Sequence, residues 1–261
     1  MTEADRVMAA RSAYVFALFA RYARRYVARH FHAVRLANNN RPDLRGVGPV
    51  IVCATHAAWW DPLIFVLLHH ALFSGRRGFG VMEQQALGRY GFMQRLGVFG
   101  IEPDAARGAR RFLAVANGIL RAPDNVLWVT AQGRFTDPRV RPITLRAGVA
   151  HLAKRSGSGL VLPLAVEYPF WNERPPQVLL RFGSPLAFDA ATRVDGWNAR
   201  LGAALEATAD ALAADACTRD PSRFETLIAG RTGIGGVYDG WRRAKAWASG
   251  RKAALAHEET R

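Results

Sequence analysis

Apolar and polar positions along the middle of the chain fall into short blocks of two kinds. Apolar runs at 50–55, 79–82, 98–101, 126–130, 160–167 and 178–182 predict strands. Between them, apolar residues recur at helical spacing near 60–72, 105–120, 145–155 and 198–216. Strand and helix in turn predict an α/β fold, with a central, mostly buried sheet flanked by helices. No repeat, low-complexity stretch or linker divides the chain. The expectation is one domain over 1–261: a helix and link at 1–45, an α/β core at 46–216 and a basic tail at 217–261.

The two ends read differently from the middle. Residues 4–28 contain no Gly or Pro and predict a single amphipathic helix. At about 100° per residue, Arg11, Arg21, Arg24, Arg25 and Arg29 share one arc, opposite Met8, Val15, Phe16, Phe19, Tyr26 and Val27. A basic face beside an aromatic-rich one suits a lipid interface, where arginines meet phosphate headgroups. It equally suits a surface helix packed on its own domain. The tail interleaves Trp241, Arg242, Arg243, Lys245, Trp247, Arg251 and Lys252 after a glycine-rich link at 230–236. Such a tail fits an interfacial anchor, a nucleic-acid contact or a packed helix.

Charge sharpens this picture. The net charge is +15, and nine Lys/Arg against three Asp/Glu in 1–50, with nine against five in 219–261, place +10 of it at the ends. A protein of this balance is attracted to nucleic acid, a membrane surface or phosphorylated substrates. The early apolar run at 13–20 is too short to span a bilayer, and Glu3 and Asp5 stand where a signal peptide carries basic residues. The expectation is therefore no transmembrane segment and no signal peptide. Cys53 and Cys217 are too few for a disulfide framework, and neither has a partner at metal-ligand spacing.

Several common sites are missing. Ser158 has Ser156 and Leu160 where a nucleophile elbow needs glycines, and no Gly-Lys-Ser/Thr occurs. Gly230, Gly233, Gly235 and Gly236 follow a helical region rather than a strand. His69 and His70 lack the helical spacing that lets two imidazoles reach one metal, so no metal site is expected. One constellation remains, Thr55-His56-Ala57-Ala58-Trp59-Trp60-Asp61-Pro62, directly after the strand at 50–55. A histidine at a strand's C-terminal end sits where α/β sheets place chemistry. Asp61, five residues on, can curl back to Nδ1, fix the tautomer and leave Nε2 as a base. The motif contains no Ser or Cys nucleophile, so the natural use is direct removal of a proton from an acceptor hydroxyl. Asp61-Pro62 is also a good helix start, with Asp as N-cap and Pro first.

His56-x4-Asp61 resembles the first signature of the glycerolipid acyltransferases, the lysophosphatidic acid acyltransferase superfamily. Further blocks follow in that family's order. Leu96-Gly97-Val98-Phe99-Gly100-Ile101-Glu102 is similar to the second, and Trp128-Val129-Thr130-Ala131-Gln132-Gly133-Arg134-Phe135 to the third. Leu160-Val161-Leu162-Pro163-Leu164-Ala165 is similar to the fourth, and Arg181-Phe182-Gly183-Ser184-Pro185-Leu186 to the later strand-turn. The likeness spans about 45–215.

The resemblance implies transfer of a fatty acyl group to a hydroxyl of a lysolipid or related acceptor. The donor would be acyl-CoA or acyl carrier protein, acting as co-substrate, with no metal or organic cofactor. The work would be done peripherally, at the cytoplasmic face of the cell membrane. His56 would be the general base and Asp61 its orienter. Gln132, Gly133, Arg134 and Glu102 would bind the acceptor, and Trp59, Trp60, Phe99 and Pro163 would wall the acyl tunnel. Two positions depart from the family pattern: Pro103 stands where an arginine normally meets the acceptor's phosphate, and Gln132 replaces a glutamate. A lyso-glycolipid, lyso-aminolipid or lipophilic alcohol thus competes with glycerol phosphate as acceptor. The competing expectations are an N-acylating or catalytically silent member serving as a basic membrane-surface module, and, last, nucleic-acid binding on charge alone.

Overall fold

The computed structural model describes residues 1–232. Ser12 divides the predicted N-terminal helix in two. Helix α1 (Glu3–Ala10) begins in a capping box formed by Thr2 and Asp5. Arg11 turns extended, and Ser12 caps α2 (Ala13–His30) by accepting from the Val15 N–H at 3.3 Å. A cap, rather than Gly or Pro, makes the break. Phe16, Ala20, Ala23 and Val27 bury one face of α2, while Arg21, Arg24, Arg25 and Arg29 stay exposed. Arg11 leaves that arginine set: its Nε donates to the Gly78 carbonyl, and its guanidinium lies over the Phe16 ring. Tyr14, Leu18 and Tyr22 are exposed among the arginines.

Among the described residues the sheet has nine strands: β1 (Ala33–Ala37), β2 (Val50–Ala54), β3 (Arg77–Glu83), β4 (Val98–Ile101), β5 (Asn125–Thr130), β6 (Leu160–Glu167), β7 (Gln177–Phe182), β8 (Leu186–Ala187) and β9 (Phe224–Ala229). Their order is β4-β3-β5-β2-β6-β7-β1-β9, with β8 beside β6. Strands β4, β3, β5, β2 and β6 run parallel, and β7 is antiparallel to β6. The six expected strands are present. Strands β1 and β9, in the stretches read as link and tail, pair antiparallel at the sheet's end.

Strand β2 shows why the middle of the chain reads as continuous apolar runs. Val50, Val52 and Ala54 face α2 and α3 (Asp61–Leu72). Ile51 and Cys53 face the opposite layer of α5 (Ala106–Ile119), α6 (Gly148–Arg155) and α7 (Val194–Cys217). Successive side chains point to opposite faces, so a strand covered on both must be apolar throughout. Each fully buried Val or Ile contributes about 1.5–3 kcal/mol. A short helix, α4 (Gln84–Arg89), and a 3-10 turn (Gly91–Leu96) fill the β3–β4 crossover. Pro163 lies where β6 leaves β8, after Val161, and before it takes up β7, at Leu164, so its missing N–H costs no ladder bond. Trp241 through Lys252 and Gly233, Gly235 and Gly236 lie outside the described residues. Among the described residues, no helix is long and apolar enough to cross a membrane.

Candidate active site

The parallel strands end on one side of the sheet, and β2, flanked by β5 and β6, runs there into Thr55-His56. The Thr55 N–H donates to the Leu164 carbonyl at 3.0 Å, and its hydroxyl accepts from the Val166 N–H at 3.1 Å. The loop after β5 then grips His56. Its N–H donates to Oε1 of Gln132 at 2.9 Å, and its carbonyl accepts from the Thr136 N–H at 2.9 Å. The Phe135 ring lies 4.3 Å from the imidazole, centroid to centroid.

His56 Nδ1 and Asp61 Oδ2 are 2.7 Å apart, as the spacing predicts. Asp61 is the first residue of α3, but Trp60 occupies the cap position and makes no side-chain cap bond. The carboxylate is free of capping duty. Oδ2 also accepts from the Ala58 N–H at 3.1 Å, and Oδ1 from the Tyr168 hydroxyl at 2.5 Å. Asp61 is fully buried, while 16% of the His56 side chain is exposed. With Nδ1 donating to the carboxylate, Nε2 is the ring's acceptor. Burial, then the charge and hydrogen bond of Asp61, push the Tyr168 hydroxyl well above its usual pKa. It stays a proton donor.

Gly133 sits at φ +67°, a conformation that favours glycine, and the Arg146 side chain packs over it. Arg146 donates to Asp104 at 2.9 Å and to the Pro103 carbonyl. It thereby ties the loop after β5 to the loop after β4. Beside that tie lies an open cavity of about 470 Å³, lined by Glu83, Gln84, Gln85, Ile101, Glu102 and Pro103 among others.

The structure brings His56, Asp61 and Gln132 into one hydrogen-bonded group, with Gly133 next in the chain. Arg134 is exposed. Glu102 lines the cavity and pairs with Arg107, whose hydrogen bond holds its carboxyl below the usual range. Trp60 packs against Phe31, Tyr26 and His30, and stacks on Trp59, which is 57% exposed. Phe99 is in the core against Phe112, and Pro163 is buried against Gly183; both pack the sheet. Sequence reasoning passed over Tyr168, Thr136 and Arg146, whose roles come from pairings across the fold. Cys53 is buried, which pushes its thiol up to about 12 and makes it a poor nucleophile. No group of three or more His, Cys, Asp or Glu that could hold a metal occurs among the described residues.

No protein-family model matches the chain, and no curated protein matches it in sequence. Among solved structures it is similar to the 1-acyl-sn-glycerophosphate (LPA) acyltransferase PlsC from Thermotoga maritima, with a TM-score of 0.55 and 14% identity. The match covers 77% of this chain and 80% of that one. The likeness is one of fold: the chain is built on the architecture of that acyltransferase.

Proposed function

We propose that this protein is an O-acyltransferase that works at a membrane surface and takes its acyl group from a thioester, acyl-CoA or acyl carrier protein. The observation that carries the reading is the 2.7 Å contact between His56 Nδ1 and Asp61 Oδ2 at the end of the central strand. His56 Nε2 takes the proton from the acceptor's hydroxyl as its oxygen attacks the thioester carbonyl. The carbon–oxygen bond forms, the carbon–sulfur bond breaks, and the imidazolium returns the proton to the leaving thiolate. Buried Asp61 stabilises the imidazolium between those two transfers. The fold shared with PlsC and the lack of a Ser or Cys in the stretch 55–62 support direct transfer.

Membrane docking is supported by the exposed Tyr14, Leu18 and Tyr22 among the arginines of α2. Trp59, Phe135 and Phe170, exposed on the loops after β2, β5 and β6, place apolar rings on the same side of the sheet as His56. An aromatic rim with basic neighbours suits a lipid interface. For the acceptor, Pro103 offers no cation, and Arg146 is engaged with Asp104 and the Pro103 carbonyl. That favours a lyso-glycolipid, lyso-aminolipid or lipophilic alcohol over a phosphate monoester.

The test is thiol release from palmitoyl-CoA and palmitoyl carrier protein with a panel of lysolipids and alcohols in vesicles. Release should require an acceptor and fall by about a thousandfold or more in His56→Ala. Wild-type rates in that variant would remove the reading.

A further inference from the structure

Three donors from two loops converge on the carboxylate of Asp61. His56 and the Ala58 N–H, from the loop after β2, meet at Oδ2, and Tyr168, from the loop after β6, meets Oδ1. Most of the Tyr168 side chain does what a phenylalanine would do: its ring packs on Phe31 with centroids 5.8 Å apart. The hydroxyl is the addition. A sequestered phenol O–H costs free energy unless it finds a partner, and this one is spent on the carboxylate that holds the histidine.

We infer that Tyr168 is a positioning residue of the His56–Asp61 pair, its hydroxyl both aiming Oδ2 at Nδ1 and lowering the basicity of Nε2. With Oδ1 held, the carboxylate cannot swing its second oxygen towards the imidazole. A donor on Oδ1 also draws negative charge away from Oδ2, so the imidazolium is stabilised less and gives up its proton more readily. A base that must return its proton to a leaving thiolate gains from that restraint. The kinetic side of this inference rests on the acyl-transfer reading; the effect on the imidazole does not.

The titratable and charged groups near the pair come from several elements. Tyr168 faces Asp61 directly. Glu167, its chain neighbour, feels Arg141, Arg139 and Asp137 of the loop after β5, and burial raises its carboxyl above the usual range. On α2, His30 and Tyr26 lie against Trp60. Gln132, the other polar side chain on His56, carries no charge.

The experiment follows the His56 imidazole by NMR titration in the full-length chain, without substrate. Tyr168→Phe keeps the ring and removes the O–H; the His56 midpoint should rise by about half to one pH unit. Replacing Tyr168 with 3,5-difluorotyrosine makes a stronger donor and should move the midpoint the other way. Packing alone would not give opposite signs. In turnover, Tyr168→Phe should lower kcat about tenfold with acceptor KM unchanged, and move the acid limb of the pH profile upward. A midpoint that stays put in both variants, or moves the same way in both, overturns the inference. So does a raised KM with intact kcat, which would put the hydroxyl on substrate. If the wild type transfers no acyl group at all, the proposed reaction falls, and the titration still decides Tyr168.

Discussion

The backbone N–H of His56 donates to the side-chain oxygen of Gln132, 76 residues further along the chain, at 2.9 Å. The histidine two residues past β2 is thus fixed by the loop of the neighbouring strand β5, and the imidazole inherits that placement. Gln132→Ala removes the acceptor and should lower kcat by about tenfold to a hundredfold, with melting little changed. Gln132→Glu keeps an acceptor oxygen and should recover most of that loss. Steady-state kinetics of the two variants on one acceptor make the comparison.

The acceptor's charge is the second expectation. Pro103→Arg with Gln132→Glu places a cation and a carboxylate where the acyltransferase family pattern has them. Use of phosphate-bearing lysolipids should improve several-fold relative to neutral ones, since a guanidinium fork is the usual holder of phosphate. An unchanged ratio of kcat/KM values would mean that these positions do not set acceptor choice.

Asp61→Asn should be costly in two ways. Three donors converge on the carboxylate, and an amide turns an N–H2 towards at least one of them. Stability should fall by about 1–3 kcal/mol, and kcat by about a thousandfold or more. Denaturant unfolding and turnover read the two effects separately. Unchanged turnover would make the pair a structural one.

His69 supplies a pH dependence unconnected with catalysis. It accepts from the Trp128 indole N–H at Nδ1 and meets the Arg76 carbonyl at Nε2, an arrangement only the neutral ring satisfies. Burial pushes its pKa down from 6.5 to about 4. Between those values the unfolded chain binds a proton that the folded chain does not, so stability falls as pH falls. The loss begins near pH 6.5 and is complete by about pH 4, at about 3 kcal/mol. His69→Gln keeps one acceptor and one donor without titrating. Its unfolding free energy should lose about one proton's worth of slope across that window.

What the sequence displayed, and what it concealed, follows from how local each signal is. The six expected strands are mostly apolar on both faces and stand out as runs. Strand β1 carries Arg35 and β9 carries Glu225 and Thr226, so neither has such a pattern. Arg35 is tolerated because Gln177 and Thr226, both far along the chain, take its N–H groups. No local window contains that arrangement. His56 and Asp61 were legible because only four residues separate them; Tyr168 is 107 residues from the carboxylate it holds and has no motif of its own. The break before α2 was missed because a serine cap leaves the helical composition intact on both sides.

The placement of β2 sets the His56–Asp61 pair and the cavity walls on different supports. The histidine stands on a strand with apolar layers above and below and parallel neighbours on both edges. The cavity walls stand on outer supports, the turns that follow β3 and β4. Those turns can be rewritten, lengthened or recharged without disturbing the middle of the sheet. Under the proposed reaction, substitutions there would alter the choice of acceptor and leave the His56–Asp61 pair as it is.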